Sequence, residues 1–555
     1  MNEFVKYLNG LHNYNAQNQN AYGERNVESP YYAETLVPID VCNHIITSIE
    51  NNAPHIIILT GHAGDGKTSI MFQVMEQLGA KESIREPIST MSTESGKTVV
   101  CIKDFSELAD DEKLKVLSNV VKYPEDGKFV FMVANTGPLI NTFGQMFEDD
   151  EETDLAKMEM IDAMDSNSGD IIEVMSHPMM IINIAAIDNT GFAEKFLNKI
   201  QNDKLWQACD ACSKKEYCHV YRNHSLISEN KARVYEFITN YYIWQNEYGT
   251  RLTIRSMTEH LAYMITAGDN CEDVVPNKEH RKLFSNLFFG YEGVIPNPNA
   301  DNVLAVRLAK ESNIFLNRLR ADEDLLIRRK YGILFGESIE SIINNTDGGL
   351  IRKQEWDDEL RRMYLFMSTV NNEQHKKDIE DIFSKQFIPY LTVRNTGTKP
   401  TKAQKDLVID ALRMIYMGTV ISNNSLIPIT MGAESGITQS VQLIAGKLNV
   451  GDIDLLAESG SSLNQDKYNL VLRIKKQDKS KFILTLPMMN HFEELRNGVI
   501  ATGMDPQLSY GIENLKATLL WLADRDEDTF DILVLNNTGF SEQRISIEDG
   551  KISIQ

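Results

Sequence analysis

Residues 56–59 form an uninterrupted apolar run, Ile-Ile-Ile-Leu, and the period then changes: Ile70, Met71, Val74, Met75 and Leu78 recur at helical spacing. A run apolar at every position predicts a strand buried on both faces, as in a parallel sheet. Residues 98–102, 129–134 and 179–184 repeat that pattern, and residues 106–121 between the first two read as a helix. Strands alternating with helices predict a parallel α/β sheet, with functional residues at the carboxyl ends of its strands. The acidic run 148–154 reads as a solvated loop, and residues 256–267 as an amphipathic helix.

Beyond residue 272 the pattern is mostly helical to about 418, with a break at Lys399-Pro400-Thr401-Lys402. From 419 it changes to strand-like runs at 426–430, 440–444, 468–474 and 481–486. Helices near 491–496 and 511–523 follow, then short strands at 531–535, 545–547 and 552–554. Five segments result: a polar lead-in (1–50), a sheet core (51–200), a lid with clustered cysteines (201–275), a helical region (276–418) and an α+β domain (419–555). No repeat or low-complexity tract interrupts them.

The connection between the first strand and its helix carries the chemistry. Gly61-His62-Ala63-Gly64-Asp65-Gly66-Lys67-Thr68 fits G-x-x-x-x-G-K-[ST] without mismatch, and Ser69 continues into the helix. The glycines let the backbone curl so that its N–H groups point inward at an anion, at the positive end of a helix. Lys67 is placed for the β- and γ-phosphates and the Thr68 hydroxyl for Mg²⁺. The segment predicts a P-loop NTPase core that binds ATP.

Other strand ends supply candidates for the same site. Asp104 stands where a strand delivers a metal-binding carboxylate, the Walker B position, or else caps the next helix. Glu107 follows three residues later as a candidate to activate water, displaced from the usual place directly after the aspartate. Asn135 resembles the sensor-1 residue of AAA+ ATPases, or else forms a turn. Arg255, near the start of the lid helix, resembles sensor 2, with a surface arginine as the alternative. A second class of function is a nucleotide-gated interaction switch with little turnover, which the displaced Glu107 favours; a small-molecule kinase is a weaker third.

Cys209-x-x-Cys212-x5-Cys218 gathers half of the six cysteines within ten residues. Such spacing suits a tetrahedral zinc, with His219, His224 or Cys271 as fourth ligand; reduced, partly buried thiols are the alternative.

The net charge of −23 opposes broad electrostatic binding to nucleic acid, which needs clustered cations. Arg328-Arg329-Lys330, Arg352-Lys353 and Arg361-Arg362 are candidates for a local basic patch. The absence of a leader-like N-terminus and of an apolar stretch of about 20 residues predicts a cytoplasmic protein outside the membrane.

The ordered set Gly-His-Ala-Gly-Asp-Gly-Lys-Thr, Val-Val-Cys-Ile-Lys-Asp-Phe-Ser-Glu-Leu, Val-Ala-Asn-Thr-Gly, Cys-x-x-Cys-x5-Cys and Thr-Ile-Arg with Cys271 resembles the DptF family. These are ATPase subunits of bacterial anti-phage restriction systems. The resemblance spans roughly residues 55–271. It implies an AAA+-like ATPase acting with other restriction subunits on DNA that lacks phosphorothioate modification, with residues 61–68, Asp104 and Asn135 at the ATP site. AAA+-like sites are commonly completed by a neighbouring subunit's arginine, for which Arg222 and Arg328 are candidates, so a homo-oligomer or hetero-complex is expected.

Overall fold

The computed structural model describes residues 1–14, 29–80, 84, 86–147, 149–166, 169–174, 176–275, 281–345, 353–417, 425–430, 440–460, 463, 467–474, 481–499, 506–522, 529–536, 539–548 and 551–554. The chain divides into two compact units, one formed mainly by Met1–Asp378 and the other mainly by Ile379–Gly460 and Gln465–Gln555.

The first unit is built on a six-stranded sheet. Its strands are β1 (Ile56–Thr60), β2 (Ile88–Ser92), β3 (Thr98–Ile102), β4 (Phe129–Val133), β5 (Ile172–Val174) and β6 (His177–Asn183). Their spatial order is β2-β3-β4-β1-β6-β5. The four central strands are parallel, and Ile58 of β1 lies beside Met132 of β4 and Ile181 of β6. The two edge strands, β2 and β5, run antiparallel to their neighbours. Three of the five residues of β2 are polar (Ser89, Thr90 and Ser92), which masks it as a strand in the apolar pattern.

Alternation along the central strands divides the apolar side chains between two cores. Ile57, Leu59, Phe131 and Ile182 pack with Ile45 and Ile49 of the helix Val41–Glu50 and Ile70 and Val74 of the helix Lys67–Gln77. Ile56, Ile58, Met132 and Ile181 pack on the other face with Leu117, Leu139 and Met160, from the helices Asp110–Val120, Thr136–Gly144 and Asp150–Ser166. Each buried aliphatic side chain contributes about 1.5–3 kcal/mol, so the doubly covered strands carry much of the unit's burial energy. The functional loops spring from their ends.

The expected loop at 148–154 is mostly helical instead. Residue 148 lies outside the described residues, but Asp150, Glu151 and Glu152 form the first turn of Asp150–Ser166. Carboxylates at a helix N-terminus are stabilised by the helix dipole, so an acidic run can open a helix as well as avoid one. The helix expected at 106–121 is split into a 3₁₀ turn, Phe105–Glu107, and the α-helix Asp110–Val120.

In the second unit, the helix Lys402–Met417 packs on the strand Leu426–Thr430 and the helix Leu486–Arg496. An antiparallel five-stranded sheet runs in the order Lys551–Ile554, Gly539–Glu548, Thr529–Asn536, Val441–Asn449, Leu426–Thr430. A second, three-stranded sheet joins Ile453–Ser459, Tyr468–Ile474 and Lys481–Ile483. Helices from residue 387 onward thus belong with the C-terminal strands, upstream of the composition change at 419. Among the described residues, no helix is long and apolar enough to cross a membrane.

Candidate functional site

The loop from Gly61 to Gly66 leaves the buried end of β1 and enters the helix Lys67–Gln77. Gly61, Gly64 and Gly66 adopt φ of 142°, 89° and 80°, backbone that side-chain-bearing residues avoid. Gly64 also has little room for a side chain, because a Cβ there would lie 3.1 Å from the Thr253 hydroxyl.

Lys67 is buried, and its ammonium donates to the Gly61 carbonyl (3.1 Å), the His62 carbonyl (2.7 Å) and Asn135 Oδ1 (3.1 Å). Burial lowers its pKa, Asp65 opposes that shift, and the Arg255 guanidinium adds to it. Thr68 and Ser69 follow in the first helical turn, both half-buried. His62 and Ala63, at the tip of the loop, are exposed.

Asn135 stands at the helix cap after β4, yet its side chain makes no cap hydrogen bond. Its carbonyl oxygen serves Lys67 instead, and its backbone N–H donates to the Ser106 hydroxyl at 2.7 Å. The next residue, Thr136, shares a hydroxyl–hydroxyl bond of 2.9 Å with Thr60 at the end of β1. These two bonds hold the ends of β1, β4 and the turn after β3 together.

Asp104 lies two residues beyond β3, with its side chain one-quarter exposed and 3.9 Å from the Lys103 ammonium. It occupies the N-cap position of the 3₁₀ turn that follows but makes no side-chain cap hydrogen bond there, and the cap position of the next α-helix is Ala109. β4 separates β3 from β1, which at ordinary strand spacing places the two strand ends about 10 Å apart. Glu107 is exposed on the 3₁₀ turn, with its N–H bonded to the Asp104 carbonyl.

Residues from both ends of the first unit complete the loop's surroundings. From the lead-in, Tyr32 hydrogen-bonds Ser69, and the Ile39 side chain reaches the space beside Gly66. From the lid, Arg251 donates to buried Asp65 at 2.6 Å and to the Ile184 carbonyl at 2.9 Å. The Arg255 backbone N–H donates to the Gly64 carbonyl at 3.2 Å. Its side chain is exposed and forms no hydrogen bond among the described residues, acting on Lys67 and Glu259 through charge alone. Burial raises the Glu259 carboxyl to about 7.

Arg251, Tyr32 and Ile39 were missed in the sequence. Arg251 carried a signal: Thr253 accepts the Ser256 N–H and so caps the lid helix Ile254–Thr266, leaving Arg251 outside it and aimed back at the loop.

The basic clusters are largely neutralised. Arg328 pairs with Glu323 (2.6 Å) and Asp324 (3.4 Å), and Lys330 with Asp324. Arg361 pairs with Asp322 and Asp358. Arg362 is fully buried, bonded to Asn286 and the Gly293 carbonyl and stacked on Tyr291. Arg352 lies outside the described residues. Arg222 donates to the Glu216 carbonyl at 3.4 Å, within the cysteine-rich segment.

The cysteine segment folds against the end of the lid. Cys212 N–H closes a turn on the Cys209 carbonyl, and Cys218 occupies the cap position of the helix His219–Glu229. The two candidate imidazoles are engaged elsewhere. His219 Nε2 lies 3.3 Å from both the Thr266 carbonyl and Asp269, and His224 Nδ1 lies 2.7 Å from Gln201 while its ring stacks on Trp206. Among the described residues, no three ligand-type side chains are drawn around one point in the manner of a closed metal site.

No protein-family model matches the chain, and no curated protein or solved structure matches it.

Proposed function

We propose that the chain is a P-loop, AAA+-like ATPase. The single observation that carries this reading is the position of Lys67. Its ammonium sits at the mouth of a glycine loop between a buried parallel strand and a helix, bonded both to the loop's own carbonyls and to Asn135 from the neighbouring strand end. Neutral carbonyls are weaker acceptors for an ammonium than phosphate oxygens, so an entering triphosphate exchanges favourably for them. In this reading the helix N-terminus would receive the β-phosphate, and Lys67 would reach the β- and γ-phosphates. Mg²⁺ held by Thr68 and Asp104 would supply further charge neutralisation. Asn135, held by Ser106 and bonded to Lys67, would orient the attacking water in this reading. Hydrolysis of this kind depends on positioning and charge stabilisation more than on covalent chemistry.

The motif resemblance to the DptF family extends the proposal to a role with partner restriction subunits on DNA lacking phosphorothioate modification. The pairing and burial of the basic clusters favours DNA contact through such a complex over a broad surface of this chain. Phosphate release from ATP and Mg²⁺, measured with unmodified and phosphorothioate-modified DNA and with oligomeric state followed by light scattering, tests the proposal. Turnover that rises with unmodified DNA in the presence of partners is the expected result. Failure of the wild-type chain to bind ATP, or unaltered ATP binding by Lys67→Ala, overturns it.

The exposure of Glu107 favours a second reading, a nucleotide-gated switch. ATP then shifts the lid between states through its differential affinity for them, with little hydrolysis. Rapid multiple turnover eliminates this alternative.

A further inference from the structure

Four cysteines from two segments about sixty residues apart lie at the far end of the lid. Cys209, Cys212 and Cys218 come from the turn-rich stretch before the helix His219–Glu229, and Cys271 from the segment just after the lid helix Ile254–Thr266. Two bridges join them. Asn2 Nδ2 donates to Cys209 Sγ at 3.4 Å, and the Asn2 carbonyl accepts from Cys271 Sγ at 3.8 Å. The Lys214 ammonium, inside the cysteine segment, donates to the carbonyls of Cys271 (3.0 Å), Glu272 (3.1 Å) and Val274 (3.1 Å).

The thiols are close enough to influence one another. Burial raises the pKa of Cys209, and the other three thiols raise it further; Cys218 is likewise raised by burial and then by Cys271 and Cys212. Backbone N–H groups of Val220 and Tyr221 meet the Cys218 sulfur, and the Asn2 amide meets the Cys209 sulfur, which are donors suited to a thiolate. Neither His219 nor His224 competes for the fourth position, given their other partners.

We propose that Cys209, Cys212, Cys218 and Cys271 bind one structural Zn²⁺ that anchors the distal end of the lid. A divalent cation held by four sulfurs has the ligand set of tetrahedral zinc, with bonds of about 2.3 Å. Binding moves the sulfurs from neighbours to a closed tetrahedron: four S–Zn bonds form, four S–H bonds break, and four protons leave to solvent. The Cys271 S–H bond to Asn2 is given up in the process. Four protein ligands leave no open position, so the metal acts on the fold and not on substrate. The lid helix, 13 residues or about 20 Å long, has its N-terminus on Gly64 of the phosphate loop and ends shortly before Cys271. The clamp therefore fixes the lid at the end opposite the nucleotide.

Metal content of the full-length chain, read without nucleotide, tests this separately from the ATPase proposal. About one zinc per chain is expected after exhaustive dialysis, and cobalt substitution should give the absorption of a tetrahedral thiolate site. Cys212→Ser and Cys271→Ser should each lose most of the zinc, whereas Cys42→Ser, whose thiol lies in the sheet core, should keep it. Release of zinc with a mercurial reagent should speed amide exchange in residues 254–266 by about tenfold or more. Folded wild-type protein with less than about a tenth of a zinc per chain, iron–sulfur absorption in its place, or full zinc retention by Cys271→Ser would overturn the assignment.

Discussion

Arg251 and Asp65 are 186 residues apart in sequence, yet the Arg251 guanidinium donates to the Asp65 carboxylate at 2.6 Å. Asp65 is fully buried inside the phosphate loop, and its second oxygen accepts the His62 N–H at 2.8 Å. One carboxylate thus braces the loop from within and ties it to the segment that opens the lid. Because Arg251 also holds the Ile184 carbonyl beyond β6, the pair joins the loop, the end of β6 and the lid at one point.

Removing the cation from this pair should be costly, since it leaves a buried carboxylate alone. Arg251→Ala is expected to lose about 3–5 kcal/mol of stability in urea unfolding. Arg251→Ala with Asp65→Asn should lose less than the sum of the two single changes, because the second change removes the orphaned charge. Strict additivity would mean that the pair carries no coupling.

Lys67→Ala should separate binding from folding. Losing the ammonium's phosphate contacts is worth roughly 3 kcal/mol, about a hundredfold in ATP Kd. Its burial already works against the charged form, so thermal stability should hold or rise. Calorimetric titration and thermal melts on the same preparation read both quantities.

Asn135→Ala should act on turnover more than on binding. The side chain reaches Lys67 without capping its own helix, so its removal is expected to slow phosphate release by about 10²-fold and to change ATP affinity less than tenfold. Glu107→Gln, measured alongside, should slow turnover with binding spared if Glu107 activates water, and should be silent if the chain is a switch.

Gly64→Ala places a methyl group against the Thr253 hydroxyl and imposes a positive φ on alanine. A cost of about 1–3 kcal/mol is expected. The loss should appear first as faster hydrogen exchange at the Arg255 amide, which bonds the Gly64 carbonyl. Unchanged protection there would show that the lid does not depend on this contact.

Acid should weaken the first unit through its buried histidines. His260 is fully buried, with Nδ1 2.9 Å from the Tyr242 hydroxyl and Nε2 2.9 Å from the Phe288 carbonyl, and burial lowers its pKa to about 4. The folded pKa lies below the ordinary value of about 6.5, so its stability contribution is complete above pH 6.5 and is lost as pH falls toward 4. The slope is about 1.4 kcal/mol per pH unit for one such group. His12 and His224, also lowered to about 4, act in the same direction, and Glu259 in the opposite one over its own rise to about 7. Melts between pH 7.5 and 5 should show a shallower pH slope for His260→Gln than for wild type.

The first strand, its glycine loop and the following helix were legible because each is decided by neighbours in sequence. An apolar run must be buried on both faces, glycines permit the positive φ values, and helical spacing continues directly from Lys67. The strand ends bearing Asp104 and Asn135 were legible for the same reason. The acidic helix Asp150–Ser166 was misread because local charge suits a solvated loop and a helix N-terminus alike.

Sheet order, the antiparallel edges and the company of the loop were decided only by tertiary structure. Nothing in local periodicity places β4 between β1 and β3, brings Tyr32 to Ser69, or selects Arg251 over Arg255 as the arginine whose guanidinium bonds the loop. The approach of Cys271 to Cys209 and the burial of Arg362 are of the same kind. They arise when elements far apart in sequence pack to cover one another, and the free energy of that packing resides in contacts that no short window of the chain contains.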